Sequence, residues 1–200
     1  MSKQKEKEKY EICYQDPAYK LGKYRYADTI NDITDIIKQH GPFDTHLDVS
    51  CGRGEVIDHV KSLGVNSSGT EIVDALVANR SDVQFAWSDK LPFADNSVQF
   101  LTNTDAMEHY LPELTKPILD EFFRVCSHVA YFTISNKRAT KHEMELHINI
   151  KSYDEWQDIL SKYGVVKRSP YGRRNATSES YLVVKHRCPS ELTWDDLADD

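Results

Sequence analysis

The chain has 200 residues, of which 40% are hydrophobic and 28% charged, a composition typical of one soluble globular domain. Its net charge of −7 argues against a protein that coats nucleic acid by bulk electrostatic attraction. The four cysteines are scattered without a CxxC pair, which predicts reduced thiols and excludes a zinc knuckle. The chain has neither a hydrophobic run long enough for a membrane span nor an N-terminal signal core, so we predict a cytoplasmic protein with no membrane partner.

The two ends of the chain differ from its body. Residues 2–9 alternate Lys, Glu and Gln, which predicts a frayed segment or the solvated start of a helix. The following stretch to Tyr26 is rich in tyrosine, and it is either a lid over a ligand or a set of surface aromatics packed on the domain. We therefore divide the chain into an N-terminal segment, a central domain and an acidic tail, at residues 1–26, 27–188 and 189–200.

Helical and extended patterns alternate along the central domain. Isoleucines at three- and four-residue steps predict a helix over 27–40, which Gly41-Pro42 ends. The alternation of later strands and helices predicts a doubly wound, mostly parallel sheet with helices on both faces. The strands are expected at 65–72, 83–87, 97–103, 125–134, 165–169 and 181–186, and the helices at 56–63, 73–79, 111–124 and 152–163.

The stretch THLDVSCGRGE, from Thr45 to Glu55, combines a buried strand, a glycine turn and the start of a helix. In such a turn the backbone can approach a bound nucleotide closely, and the helix N-terminus presents N–H groups. In open α/β sheets the ligand lies beyond the carboxyl ends of the strands. The stretch therefore predicts a nucleotide-type binding site.

Three motifs in order, LDVSCGRGE, then GTEIV at 69–73, then LPFADNSVQFLTNTDAMEH at 91–109, resemble class I S-adenosylmethionine-dependent methyltransferases. The resemblance covers about residues 45–184 and is to the small, single-domain kind similar to methyltransferase type 11. It implies S-adenosyl-L-methionine as cofactor and a Rossmann-like α/β fold, with a seven-stranded sheet whose last strand is antiparallel.

The resemblance also implies roles for individual residues. Glu71 matches the carboxylate that accepts hydrogen bonds from the ribose hydroxyls, and Asp89 matches the acceptor for the adenine amine, with Ser88 in support and Trp87 as a competing assignment. The family often has glycine where this chain has Ser50. The residues that match the turn beneath the methionine portion are Asp48, Ser50, Gly52 and Gly54, and those beside it at the substrate entrance are Asn103 and Thr104.

Methyl transfer needs a general base only if the acceptor must lose a proton. The candidates are His109, His147 and, as a third choice, Asp105, although a Glu-His pair such as 108–109 can simply brace the fold. His142 and His147 are five residues apart rather than the four that place two zinc ligands on one helical face. We therefore predict no metal site.

Two loops that should overhang the acceptor, 135–151 and 170–180, are rich in basic residues. They favour an anionic acceptor, phosphate-bearing or nucleic acid, unless the basic residues merely solubilise the loops. Two other functions stay open: a non-catalytic S-adenosylmethionine-binding scaffold, and a nicotinamide oxidoreductase, whose usual G-x-G-x-x-G turn this chain lacks. The basic residues are Lys137, Arg138, Lys141, Arg173 and Arg174, with Lys167 and Arg168 just before the second loop.

Overall fold

A computed structural model describes residues 2–16, 26–168 and 178–186. Within these residues the main sheet has seven strands in the order β3-β2-β1-β4-β5-β9-β8. All of its strands are parallel except β9, which pairs antiparallel with both of its neighbours. The predicted fold class, a mostly parallel seven-stranded sheet with an antiparallel last strand, is confirmed. The strands are β1 (Thr45–Val49), β2 (Asn66–Glu71), β3 (Val83–Phe85), β4 (Val98–Thr104), β5 (Cys126–Ser135), β8 (Gly164–Arg168) and β9 (Ser178–Lys185), while β6 (Thr140–Lys141) and β7 (Met144–Glu145) form a separate hairpin.

Helices cover both faces of the sheet, because alternate side chains of a strand point to opposite sides. Phe100 and Tyr131 pack in one cluster with residues of α2 and α3, and Leu101 and Phe132 pack in another with residues of α5 and α6. All four side chains are 0% exposed, and burying an aromatic or leucine side chain stabilises the fold by about 2 kcal/mol. The helices are α1 (Lys3–Gln15), α2 (Tyr26–His40), α3 (Glu55–Ser62), α4 (Asp74–Ala78), α5 (Thr115–Val125) and α6 (Tyr153–Leu160).

Several predicted boundaries move. The helix expected at 111–124 begins at Thr115, because the chain before it forms two short 3-10 turns, the second with Pro112 at its start. The expected loop 135–150 contains the β6–β7 hairpin. The capping box predicted at Ser152 and Glu155 is present at the start of α6.

The N-terminal segment forms the helix α1, one of the two alternatives predicted for residues 2–9, but three of its charged residues are buried rather than solvated. Glu6, Lys7 and Lys9 are each 9% exposed or less. Lys9 is ion-paired with Glu6, and Lys7 reaches Asp74 at 2.7 Å. The long side chains pack their stems against the domain while their charged ends are paired, which is why an alternating Lys and Glu sequence is buried here.

Some predictions lie outside the described residues. These are the tyrosines at 19 and 24, the second basic loop including Arg173 and Arg174, and the acidic tail at 189–200. Of the cysteines, Cys13, Cys51 and Cys126 are buried thiols, as predicted. Among the described residues no helix combines the length and the apolar character needed to cross a membrane.

Candidate functional site

A cleft lies at the carboxyl edge of β1, β2 and β4, where parallel strands of such a sheet place a ligand. It contains about 810 Å³ of empty space, counting the part open to solvent, and α1 forms one wall. Several of the residues singled out from the sequence for cofactor binding or as a general base meet here. Those that line the cleft are Ser50, Glu71, Ser88, Asp89, Asp105 and His109.

The turn after β1 is tightly wound. Ser50, Gly52 and Gly54 all have positive φ, at 57°, 56° and 84°. Position 50 is thus a left-handed backbone position, which explains why glycine suits it better than serine. A Cβ on Gly52 would lie 2.8 Å from the hydroxyl of Tyr14, and one on Gly54 would lie 2.7 Å from the guanidinium of Arg80. Because these neighbouring atoms are the ends of side chains that can move, the positive φ is the stronger reason for glycine at both positions.

Glu71 ends β2 inside the cleft, 5% exposed. Its carboxylate accepts hydrogen bonds from the backbone N–H groups of Gly52 (2.9 Å), Ile72 (2.7 Å) and Val73 (3.2 Å). Burial raises the pKa of Glu71, and these three donors oppose that rise by stabilising the charged form. The donors fix both oxygens at the cleft wall, and a carboxylate has about four acceptor positions, so capacity remains for a hydroxyl donor. This remaining acceptor capacity of the carboxylate suits a ribose hydroxyl.

Asp89 also lines the cleft. One of its oxygens pairs with Lys3 from α1, and that ammonium also lies 5.8 Å from the ring centre of Trp87. The other oxygen, Oδ1, is buried and has no hydrogen-bond partner among the described residues. A buried acceptor without a donor is costly, and the amine of an adenine would supply one. Asp89 therefore fits the role implied for it.

Tyr110 is the residue that the sequence reasoning missed. Its hydroxyl lies 2.8 Å from Ser50 Oγ, 3.1 Å from Ser88 Oγ and 2.9 Å from Asn103 Nδ2. Burial raises its pKa to about 12, so the phenol is protonated at neutral pH. Tyr110 joins three predicted cofactor residues from separate elements, and no local pattern around it, one residue after the Glu-His pair, indicates this role.

Asp48 does not line the cleft but lies beneath the turn, 1% exposed. It accepts a hydrogen bond from Thr102 Oγ1 at 2.6 Å, and Thr102 Oγ1 also lies 3.0 Å from His46 Nε2. Burial raises the pKa of Asp48 to about 7, and the Thr102 bond limits that rise. The predicted turn residues Gly52 and Gly54 likewise do not line the cleft; they form the turn that follows β1.

The remaining predicted residues are divided between the cleft and its surroundings. Asn103 is fully buried and donates to the carbonyl of Val49 at 2.9 Å, whereas Thr104 is half-buried and does not line the cleft. Asp105 is held at φ 49°, with its N–H donating to Thr133. A non-glycine residue with such backbone geometry beside a cleft is a common feature of functional sites.

His109 and His147, far apart in sequence, are neighbours here. Their ring centroids are 4.6 Å apart with the planes at 83°. His109 lines the cleft and its Nδ1 lies 2.7 Å from the hydroxyl of Tyr10 on α1, whereas His147 lies behind it, 8% exposed. His142 is elsewhere, 3.2 Å from Asp16. The structure thus pairs His147 with His109 and not with His142.

Two basic residues of the first loop have acidic neighbours. Lys141 pairs with Asp16 at 2.9 Å, and the exposed Arg138 lies 3.5 Å from Glu145. Neither these two nor Lys137 line the cleft, whose wall includes Lys3.

Comparisons with known proteins support this description. Residues 47–134 match the family described as "Methyltransferase domain". No match was found among curated proteins.

Solved structures with the same fold are numerous but distant in sequence. The PH0226 protein of Pyrococcus horikoshii OT3 superposes with a TM-score of 0.66 at 13% identity, over 80% of this chain and 91% of that one. The 1,6-didemethyltoxoflavin-N1-methyltransferase of Burkholderia thailandensis was solved with bound 1,6-didemethyltoxoflavin and S-adenosylhomocysteine. It superposes with a TM-score of 0.64 at 15% identity, over 90% of this chain and 87% of that one. The magnesium protoporphyrin IX methyltransferase of Synechocystis PCC 6803, with bound S-adenosylhomocysteine, superposes with a TM-score of 0.62 at 12% identity, over 80% of this chain and 84% of that one. These likenesses establish the fold.

Proposed function

From the match of residues 47–134 to the methyltransferase domain family, we propose that the protein is an S-adenosylmethionine-dependent methyltransferase and that it methylates an anionic acceptor held beside His109. The family match supports the first part of this proposal. The structural neighbours named above act on acceptors as different as a toxoflavin precursor and a magnesium porphyrin. The acceptor class proposed for this chain therefore rests on its own residues.

The observation that carries the proposal is the pair of buried carboxylates in one cleft. We assign Glu71 to the ribose hydroxyls, and we assign Oδ1 of Asp89, which has no hydrogen-bond partner among the described residues, to the adenine amine. The glycine turn at 52–54 lies between β1 and α3, where backbone can approach the methionine portion. These residues would bind and orient the cofactor, whose sulfonium supplies an activated methyl group.

The chain's contribution to the reaction is positioning and removal of a proton. His109 lines the cleft and is the base we propose for an acceptor that carries a proton. His147 does not reach the cleft, so we propose that it positions His109 through the ring contact at 4.6 Å. Tyr10 and Tyr14 of α1 lie over the cleft and would exclude water from it.

Basic residues near His147 and in the cleft wall support an anionic acceptor. Lys137 and Lys141 lie on the segment that also carries His147, and Lys3 lies in the cleft wall. Arg138 and Lys141 have acidic partners, so the excess of positive charge is small, and a small-molecule anion is favoured over a nucleic acid strand. Basic residues at a pocket mouth attract anions in a way that salt weakens.

The cofactor part is tested by calorimetry with S-adenosylmethionine, S-adenosylhomocysteine and NAD. Glu71→Gln and Asp89→Asn should weaken S-adenosylhomocysteine binding by roughly 10-fold each, the cost of about one charge-assisted hydrogen bond. Glu155→Gln, an exposed change at the start of α6, is the control and should leave affinity unchanged. Binding of NAD without S-adenosylhomocysteine would contradict the proposal.

The acceptor part is tested by transfer of a labelled methyl group into fractionated small molecules, nucleic acids and proteins. With the acceptor found, we expect His109→Gln to reduce kcat more than cofactor affinity, while the exposed His128→Ala has no effect. Turnover should fall as salt is raised and in a Lys137→Ala, Lys141→Ala double variant, but not in Lys116→Ala. Salt-independent turnover would exclude an anionic acceptor.

A further inference from the structure

A cluster of three metal-ligating side chains lies behind the cleft wall. Glu108, His109 and His147 each place one ligand atom within 4.8 Å of the others. Glu108 is 0% exposed and His147 is 8% exposed, while His109 reaches the cleft. Two imidazoles and a carboxylate are the ligand set that binds Zn²⁺ in catalytic sites and Fe²⁺ in facial-triad sites. We propose that this cluster binds a divalent transition metal, with a coordination position open towards the acceptor.

The contacts of His147 hold it in the tautomer that a metal ligand needs, and those of His109 are compatible with the same tautomer. His109 Nδ1 lies 3.0 Å from the carbonyl oxygen of Leu146, and His147 Nδ1 contacts the carbonyl oxygen of Lys137. The carbonyl oxygen of Lys137 can only accept, so His147 Nδ1 carries the proton and its lone pair lies on Nε2. His109 Nδ1 also lies 2.7 Å from the hydroxyl of Tyr10, which can donate or accept; with the proton on Nδ1 and directed to Leu146, the lone pair of His109 also lies on Nε2. Metal-bound histidines usually donate their other N–H to a backbone carbonyl or carboxylate in this way.

The carboxylate is anchored too. Glu108 Oε1 accepts the backbone N–H of Ser135 at 3.1 Å, and the backbone carbonyl of Glu108 accepts the N–H groups of Ile148 (2.9 Å) and Asn149 (3.0 Å). These bonds tie the Glu-His pair at the end of β4 to the segment that carries His147. The three ligands are therefore fixed by secondary hydrogen bonds from different parts of the chain, and ligand separations up to 4.8 Å close around an ion with sub-ångström side-chain shifts.

The location gives the metal a place in the reaction. His109 is shared between the cluster and the cleft, so an ion held there lies close to the acceptor space. A divalent ion attracts an anionic oxygen and lowers the pKa of a bound hydroxyl. When the metal is bound, His109 acts as a ligand, and the ion promotes loss of the acceptor's proton. When no metal is bound, His109 removes that proton as a base. This role rests on the proposed function, whereas metal binding itself does not.

The test is calorimetric titration of the full-length, chelator-treated protein with Zn²⁺, with Co²⁺ as a visible spectroscopic probe. We expect one tight ion per chain. Glu108→Gln keeps an oxygen that accepts the N–H of Ser135, and His147→Gln keeps a polar side chain. Each variant should lower the affinity for Zn²⁺ by at least roughly 10- to 100-fold. His142→Ala and His128→Ala, which remove histidines outside the cluster, should leave the affinity unchanged.

S-adenosylhomocysteine binding is measured on the same samples, because it reports folding and the cofactor site independently of the metal. Retained S-adenosylhomocysteine binding with no tight Zn²⁺ site would overturn the metal proposal and leave the methyltransferase proposal intact. Zn²⁺ affinity that is unchanged in Glu108→Gln and His147→Gln, or lost equally in His142→Ala, would also overturn it. Tight Zn²⁺ binding without S-adenosylhomocysteine binding would support the metal site and contradict the proposed cofactor site.

Discussion

Thr102 donates its hydroxyl hydrogen to Asp48 at 2.6 Å, across the parallel pair β1 and β4. Thr102 Oγ1 also lies 3.0 Å from His46 Nε2, and His46 Nδ1 lies 2.7 Å from Ser67 Oγ. With the proton on Nε2, the bonds run in one direction, from Ser67 through His46 and Thr102 to Asp48. Side chains of three neighbouring strands therefore form a continuous hydrogen-bonded chain that ends at one buried carboxylate beneath the glycine turn.

The first prediction concerns the pH dependence that this carboxylate imposes on stability. The pKa of Asp48 is about 7 in the folded protein against an ordinary 3.8, so the folded state holds a proton that the unfolded chain has lost. Between these values the unfolding free energy falls as pH rises. We expect Asp48→Asn to remove this fall. Urea unfolding of both proteins at several pH values checks it.

Asp120→Asn is the control for that measurement. The pKa of this exposed carboxyl is held low by its hydrogen bond to Lys116, so its contribution is present above the ordinary pKa and is lost only at more acid pH. Asp120→Asn should therefore leave the fall of the unfolding free energy between pH 5 and 7 unchanged. Equal slopes for the wild type and Asp48→Asn would contradict the prediction.

The second prediction concerns backbone strain at Ser50. Ser50→Gly and Ser50→Ala both remove the hydroxyl that meets Tyr110, but only alanine retains a Cβ at φ 57°. We expect the glycine variant to be more stable than the alanine variant by about 1 kcal/mol. Thermal unfolding measures the difference. At Ser62, in the last turn of α3, the order should reverse, because alanine suits a helix better. A more stable alanine variant at position 50 would show that the turn carries no strain.

The third prediction concerns the hydroxyl of Tyr110, which meets three polar side chains. Tyr110→Phe leaves these buried groups short of a partner and should cost about 1 to 3 kcal/mol of unfolding free energy. Tyr163→Phe removes a hydroxyl that donates to the exposed Asp120 at 2.8 Å, and it should cost less. Chemical denaturation of both variants provides the comparison. Similar costs would mean that the Tyr110 network does not stabilise the cleft.

The fourth prediction concerns the attachment of α1. Lys3 and Lys7 pair with Asp89 and Asp74 on the rim of the cleft, and salt screens such pairs. We expect hydrogen exchange in residues 3–15 to quicken with added salt and in a Lys3→Ala, Lys7→Ala double variant. Lys116→Ala, which removes an ion pair with Asp120 elsewhere, is the control. Exchange that changes with neither salt nor the double variant would show that these ion pairs do not attach α1 to the domain.

The sequence by itself determined the fold class and the position of the cleft. Period-2 and period-3.6 patterns record burial on one face, so they fix the alternation of strands and helices without any tertiary information. The roles of the turn from Ser50 to Gly54, of Glu71 and of Asp89 came from the resemblance to methyltransferases. Their positions at or after the carboxyl ends of strands then placed them at one edge of the sheet.

Only the tertiary structure decided which distant side chains meet. Tyr110 joins residues from three elements, and His147 approaches His109 through a hairpin whose path no local pattern specifies. The burial of Lys7 and Lys9 was decided in the same way, since a lysine is buried only where a partner lies within reach of its ammonium. Local periodicity encodes which face of an element is covered, while the partner that covers it depends on how the whole chain packs.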